Sequence, residues 1–144
     1  MELADFRYII AGAAGWTVAQ ALKYALSLRQ DGFSLDDFFA SGGMPSSHSG
    51  FVASIATVVG LQEGFESAVF GVALTLLGVV VYDAVGVRRA TGENTKILSD
   101  ILAKLKIRET SLALNMAMGH TPYQVVAGVF TGVVVGLATN LLIG

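Results

Sequence analysis

Residues 123 to 143, "YQVVAGVFTGVVVGLATNLLI", run for 21 positions without a charged side chain. At about 1.5 Å of rise per residue, such a run is long enough as a helix to cross a hydrocarbon core of about 30 Å. Lipid offers the backbone no hydrogen-bond partners, so a chain carrying this segment must satisfy every peptide group internally, as helices or a closed barrel do. Composition points the same way. Of the 144 residues, 53% are hydrophobic and 14% charged, with mean hydropathy +0.65, whereas soluble domains carry about 25% charged residues.

Three further apolar stretches fit helices. Residues 6–28 ("FRYIIAGAAGWTVAQALKYALSL") are long enough to span, with Trp16 and Lys23 as exceptions. Residues 46–61 and 67–87 are shorter and are separated by the turn "QEGFE", so this pair is expected to span, to pack as a helical hairpin inside a bundle, or to enter the membrane only in part. Between residues 88 and 120 the chain turns polar, and Ile97, Leu98, Ile101, Leu102 and Leu105 recur at helical spacing. That spacing predicts an amphipathic helix lying on the membrane face. The expected fold is an all-α polytopic membrane helical bundle of about four transmembrane helices plus one amphipathic interfacial helix. Residues 1–144 form a single domain in this reading, and no internal repeat divides them.

Four crossings place the connection at 29–47 and the long one at 88–120 on one side. Eight of the nine basic residues fall there, including Lys23, Arg29, Arg88 and Arg89, and the positive-inside rule makes that side cytoplasmic. The net charge of −2 and the lack of any recognisable binding motif argue against nucleic acid as a partner. Cysteine is absent, which excludes disulfide frameworks and thiolate metal sites. The first residues, "MELADFRYII", are acidic where a secretory signal is basic, so the first apolar segment is expected in the mature protein. Gly128, Gly132 and Gly136 form a GxxxGxxxG row, which lets another backbone approach closely, within the bundle or between subunits. A bundle this small has little room to enclose a site, which makes a homodimer an expectation.

Both histidines precede an apolar run, His48 in "GGMPSSHSG" and His120 in "MGHTPYQVVAG". In the first block Ser46 and Ser47 suit a helix cap, and the exposed N–H groups of such a terminus attract anions. In the second, Thr121, Pro122 and Gln124 make a Thr-x-x-Gln capping box with proline at the first helical position. A third block, "YDAVGVRRATGEN", brings Asp83 to the edge of lipid, where an ionisable group marks function by default, followed by Arg88 and Arg89. Guanidinium forks bind phosphate oxygens, and the ammonium of Lys23 adds a point charge. Taken singly, each group has a plainer reading as an interfacial residue, a topology signal or a cap. Together they supply the nucleophile, acid and fixed positive charge that phosphoryl transfer needs.

These three blocks, in order, resemble the divergent branch of the type 2 phosphatidic acid phosphatase family, related to acid phosphatases and vanadium-dependent haloperoxidases. The resemblance implies an α-helical membrane enzyme that removes phosphate from a lipid phosphate with no metal or other cofactor. It makes His48 the general acid for the leaving alkoxide and His120 the nucleophile that forms a phosphohistidine. Ser47, Arg88, Arg89 and Lys23 would bind phosphate, with Ser46, Asp83 and Gln124 in support. The chain departs from the family pattern in three places. No "SR" pair precedes His120, the first block lacks its arginine–proline pair with Arg29 one position off, and Gln124 stands where the superfamily has an acidic residue. An amide accepts a hydrogen bond from imidazole but cannot offset imidazolium charge. Three outcomes are open: a slow enzyme, another orienting group such as Asp83 or Glu93, or a lipid-phosphate binder without turnover. A small transporter is a further alternative, opposed by the gathering of polar groups at one face rather than at the midplane.

Overall fold

The structure, a computed structural model, describes residues 6–28, 43–105 and 119–143, except for the side chains of Arg88 and Ala103. Arg29 lies outside the described residues. All regular structure among the described residues is helical: α1 (Arg7–Ser27), α2 (Ser47–Glu63), α3 (Ala68–Val85), α4 (Val87–Lys104) and α5 (Pro122–Ile143). The all-α membrane bundle expected from sequence is the fold observed.

Local chemistry sets the helix boundaries. Ser46 caps α2, its Oγ accepting from the Ser49 N–H at 3.4 Å, and Ser67 caps α3 by accepting from Phe70 N–H at 3.1 Å. Between them α2 ends at Gly64, whose φ of +92° favours glycine. Ser67 then closes the turn, its N–H and Oγ–H both donating to the Gly64 carbonyl. Phe65 and Phe70 meet edge to face at 5.1 Å across this turn, so α2 and α3 form an antiparallel hairpin.

Helix α2 is the axis of the bundle, with buried residues on every side, including Ser49, Gly50, Val52, Ala53, Ser54 and Val58. Helix α5 lays Gly128, Gly132 and Gly136 against it. A Cβ added at Gly128 would collide with the Ser46 carbonyl, one at Gly132 with the Gly50 carbonyl, and one at Gly136 would come within 2.8 Å of the Ser54 carbonyl. On the other flank of α2, a Cβ at Gly15 would approach the Gly50 carbonyl to 2.7 Å, and Gly12 faces Phe51 and Ile55. Small residues on both partners let backbones approach to distances where dispersion and Cα–H···O contacts replace the hydrophobic drive that lipid removes. The GxxxGxxxG row is therefore occupied within one chain.

Two polar networks fix helix direction at the far end of the bundle. Arg7 Nη1 donates to Gln62 Oε1 at 2.5 Å, Gln62 Nε2 donates to Asn140 Oδ1 at 2.6 Å, and the Tyr8 hydroxyl donates to Glu63. The start of α1 thus meets the ends of α2 and α5, which makes α1 antiparallel to α2 and α5 parallel to it.

Helix α3 lies outside this packed trio. Ala84 is its one buried residue, and Val72, at 70% exposure, typifies its outer face. Only Gly86 separates α3 from α4. Among the described residues, two helical runs are long and apolar enough to cross a membrane: Ala68–Leu102, taken through Gly86, and Pro122–Ile143. Of the two marginal stretches foreseen in sequence, α2 packs inside while α3 turns an apolar face outward. Helix α4 carries the expected amphipathic pattern, with Ile97, Leu98, Ile101 and Leu105 exposed.

Candidate active site

Two backbone hydrogen bonds bring the three sequence blocks together at one end of the bundle. The Ser46 N–H donates to the Gln124 carbonyl at 3.0 Å, tying the α2 mouth to the first turn of α5. The His120 N–H donates to the Ala84 carbonyl at 3.1 Å, tying the same α5 mouth to the last turn of α3 beside Asp83. Neither link joins neighbours in sequence.

Seven polar residues are buried among the described ones, and five of them, Gln20, Ser46, Ser47, Ser49 and His120, belong to this end. Buried polar groups are costly unless satisfied, so their concentration at one place requires an explanation that packing alone does not give. Ser46 is fully enclosed and accepts from both the N–H and the hydroxyl of Ser49, the latter at 3.0 Å. Ser47 opens α2 and is buried, while the next residue, His48, is exposed. His120 is 5% exposed. The site thus has one enclosed imidazole and one open imidazole, together with a helix mouth whose first N–H groups lack upstream carbonyls within the helix.

Lys23 reaches this end from α1. Its stem lies against Gly43, where an added Cβ would sit 2.9 Å from Lys23 Cδ, and Gly43 has φ +81°. A side chain at Gly43 would both strain the loop and push the lysine away. Asp83 is half-buried in the last turn of α3. Among the described residues, no three His, Cys, Asp or Glu side chains gather in a way that would hold a metal ion.

Other expected site residues are placed differently. Arg89 forms an ion pair with Glu93 at 3.1 Å, one helical turn away on α4, with the two side chains 51% and 62% exposed. An exposed i,i+4 pair of this kind stabilises a helix by only about 0.3–0.5 kcal/mol. Glu93, one of the two carboxylates considered for orienting His120, holds Arg89 instead. Arg88 is in the first turn of α4, and its side chain lies outside the described residues. Gln124 completes its half of the capping box: its Oε1 accepts from the Thr121 N–H at 2.8 Å. The amide oxygen thus uses one of its two lone pairs at the helix terminus.

Sequence reasoning missed Gln20 and Ser49. Ser49 was legible as part of the serine-rich mouth. Gln20 offered only one signal, an amide three residues before Lys23 in an otherwise apolar run.

A family model matches residues 5–135, nearly the whole chain. The chain belongs to the Divergent PAP2 family. A relative over almost its full length is the uncharacterized membrane protein YuiD of Bacillus subtilis (strain 168), 29% identical across 153 aligned positions that cover 95% of this chain and 96% of that protein. No solved structure matches the chain. Membership in the Divergent PAP2 family agrees with the resemblance carried by the three blocks, and a membrane setting agrees with the apolar outer faces of α3 and α5.

Proposed function

We propose that this protein is a membrane lipid-phosphate phosphohydrolase. The observation that carries the reading is the joining of the His48 and His120 blocks at one end of the bundle by the Ser46–Gln124 and His120–Ala84 hydrogen bonds. In the proposed reaction a ring nitrogen of His120 attacks phosphorus, and the bond to the lipid oxygen breaks as the new N–P bond forms. His48 gives its proton to the departing alkoxide, producing the lipid alcohol. Water, deprotonated by His48, then attacks the phosphohistidine, releasing inorganic phosphate and neutral His120. Ser47, the α2 mouth, Lys23, Arg88 and Arg89 hold the phosphoryl oxygens, with Arg89 released from Glu93. No step uses a metal.

Asp83 supplies the carboxylate that position 124 lacks. It neighbours the carbonyl that holds the His120 backbone, and Glu93 is committed to Arg89. The positive-inside rule supports a cytoplasmic face for the site, since Lys23 and Arg89 lie toward the histidine end and Arg7 at the other.

The test is phosphate release by purified protein in detergent or lipid from phosphatidate, phosphatidylglycerophosphate and a polyprenyl phosphate. Release from at least one is expected, with Arg88→Ala slowing it by about 10²–10³ for a well-aimed donor. Saturable binding of these lipids with no turnover would replace the hydrolase with a lipid-phosphate binder, the reading that the amide at Gln124 favours. Gln124→Glu separates the two, because a marked gain in turnover belongs only to a weakened catalyst.

A further inference from the structure

We infer that Gln20 is a ligand of the substrate phosphate, a role that rests on the proposed hydrolase site and adds to it a residue from α1. Gln20 is 7% exposed. Its level in the bundle is fixed from both sides. Its neighbour Ala19 lies 3.3 Å from where a Cβ on Gly50 would stand, and Lys23, one turn further on, lies against Gly43. Because α1 and α2 are antiparallel, the residue between these two contacts comes level with the first turn of α2, where Ser46, Ser47 and Ser49 are buried. Gln20 and Lys23, three apart, share one side of α1.

The chemistry complements what is already there. Lys23 brings a mobile charge, whereas the Gln20 amide brings two N–H donors and no charge. A phosphoryl group presents only acceptor oxygens along its equator, and an uncharged donor in an enclosed place binds them without the desolvation cost of another buried cation. An amide buried between membrane helices can instead serve as interhelical glue. The two roles separate experimentally, since glue acts on stability and a phosphate ligand acts on affinity.

The experiment uses the full-length protein with Gln20→Leu and Gln20→Glu. It measures KM and kcat for phosphatidate in mixed micelles, inhibition by orthovanadate, and thermal unfolding. Loss of a hydrogen bond to a charged oxygen is expected to raise both KM and the orthovanadate inhibition constant roughly ten- to a hundredfold in Gln20→Leu. Gln20→Glu, equal in size but anionic beside Lys23, should raise them further by repelling the phosphoryl oxygens. If Gln20→Leu does not fold, Gln20→Glu carries the test. Unchanged constants with a lowered unfolding temperature would make Gln20 glue and overturn the inference. So would a shift confined to phosphatidate and absent for orthovanadate, because the contact would then be to the lipid rather than to phosphate. If the wild type turns nothing over yet binds orthovanadate by calorimetry, the hydrolase reading falls. Weaker orthovanadate binding by Gln20→Glu would then uphold the phosphate contact, and equal binding would refute it.

Discussion

The two ends of the bundle handle polar groups in opposite ways. At the far end Arg7, Gln62 and Asn140, with Tyr8 and Glu63, are paired side chain to side chain while none of them is buried. At the histidine end Gln20, Ser46, Ser47, Ser49 and His120 are all buried, and the links between blocks run through the backbone. Exposed pairs need no special environment, since water or lipid head groups can replace either partner. Enclosed ones persist only where the surrounding fold specifies them, and such places are where function concentrates.

His120→Ala tests this contrast with the largest expected effect. Removing the proposed nucleophile should lower phosphate release by about 10⁴ or more, while Gln62→Ala at the other end should leave it within about twofold of wild type, the scatter expected of an exposed residue away from the chemistry. Phosphate-release assays on both variants, with thermal unfolding as the control for folding, decide the matter. Comparable losses from the two would mean that the ends do not differ in function.

Gly132→Leu comes next. Its side chain would enter the space held by the Gly50 carbonyl and the Ala53 methyl. Backbone cannot give way as a side-chain tip does, so the penalty should reach or exceed the roughly 1–3 kcal/mol of ordinary overpacking. The expected outcome is loss of monodisperse protein on size exclusion. Gly78→Leu on α3, where an added Cβ meets nothing within 4 Å, is the control and should purify normally.

How much of this was legible in sequence follows from how local each signal is. Caps and helix starts at Ser46 and Thr121 depend on residues three apart, and the sequence showed them. The spacing of Gly128, Gly132 and Gly136 announced a close approach but not the partner, because the same row serves a neighbouring helix or a second subunit. Arg89 read as a phosphate ligand, and its pairing with Glu93, a turn away, was equally open to an i,i+4 reading of the sequence. Gln124 was ambiguous for a physical reason: one amide oxygen with two lone pairs can cap a helix, orient an imidazole or do both, and the 2.8 Å contact to Thr121 N–H shows that it caps. Gln20 was missed since an isolated amide in an apolar helix gives no sign of the level at which it will meet its neighbours.

Gln124 also yields the next, smaller effect. Gln124→Ala removes the bond to Thr121 N–H and should cost about 0.5–2 kcal/mol, as lost caps do. Gln124→Glu should keep the bond and add a negative charge at the positive end of α5, a gain of about 0.3–1 kcal/mol. Thermal unfolding of the two variants should therefore move in opposite directions. If both are destabilised equally, the capping assignment fails.

The smallest effect belongs to the far end. Asn140→Leu deletes the acceptor of Gln62 Nε2 but leaves Gln62 Oε1 with Arg7. Interhelical hydrogen bonds in membrane proteins average about 0.6 kcal/mol, because the separated helices find other partners. Here the discount is stronger, as Gln62 is exposed and its amide can turn to water or a head group. Unfolding in mixed micelles should show a loss of about 0.6 kcal/mol or less, with phosphate release unchanged. A loss of several times that size, or a fall in turnover, would mean that the far end is coupled to the histidines through α5. The contrast between the ends would then give way to a bundle that acts as one unit.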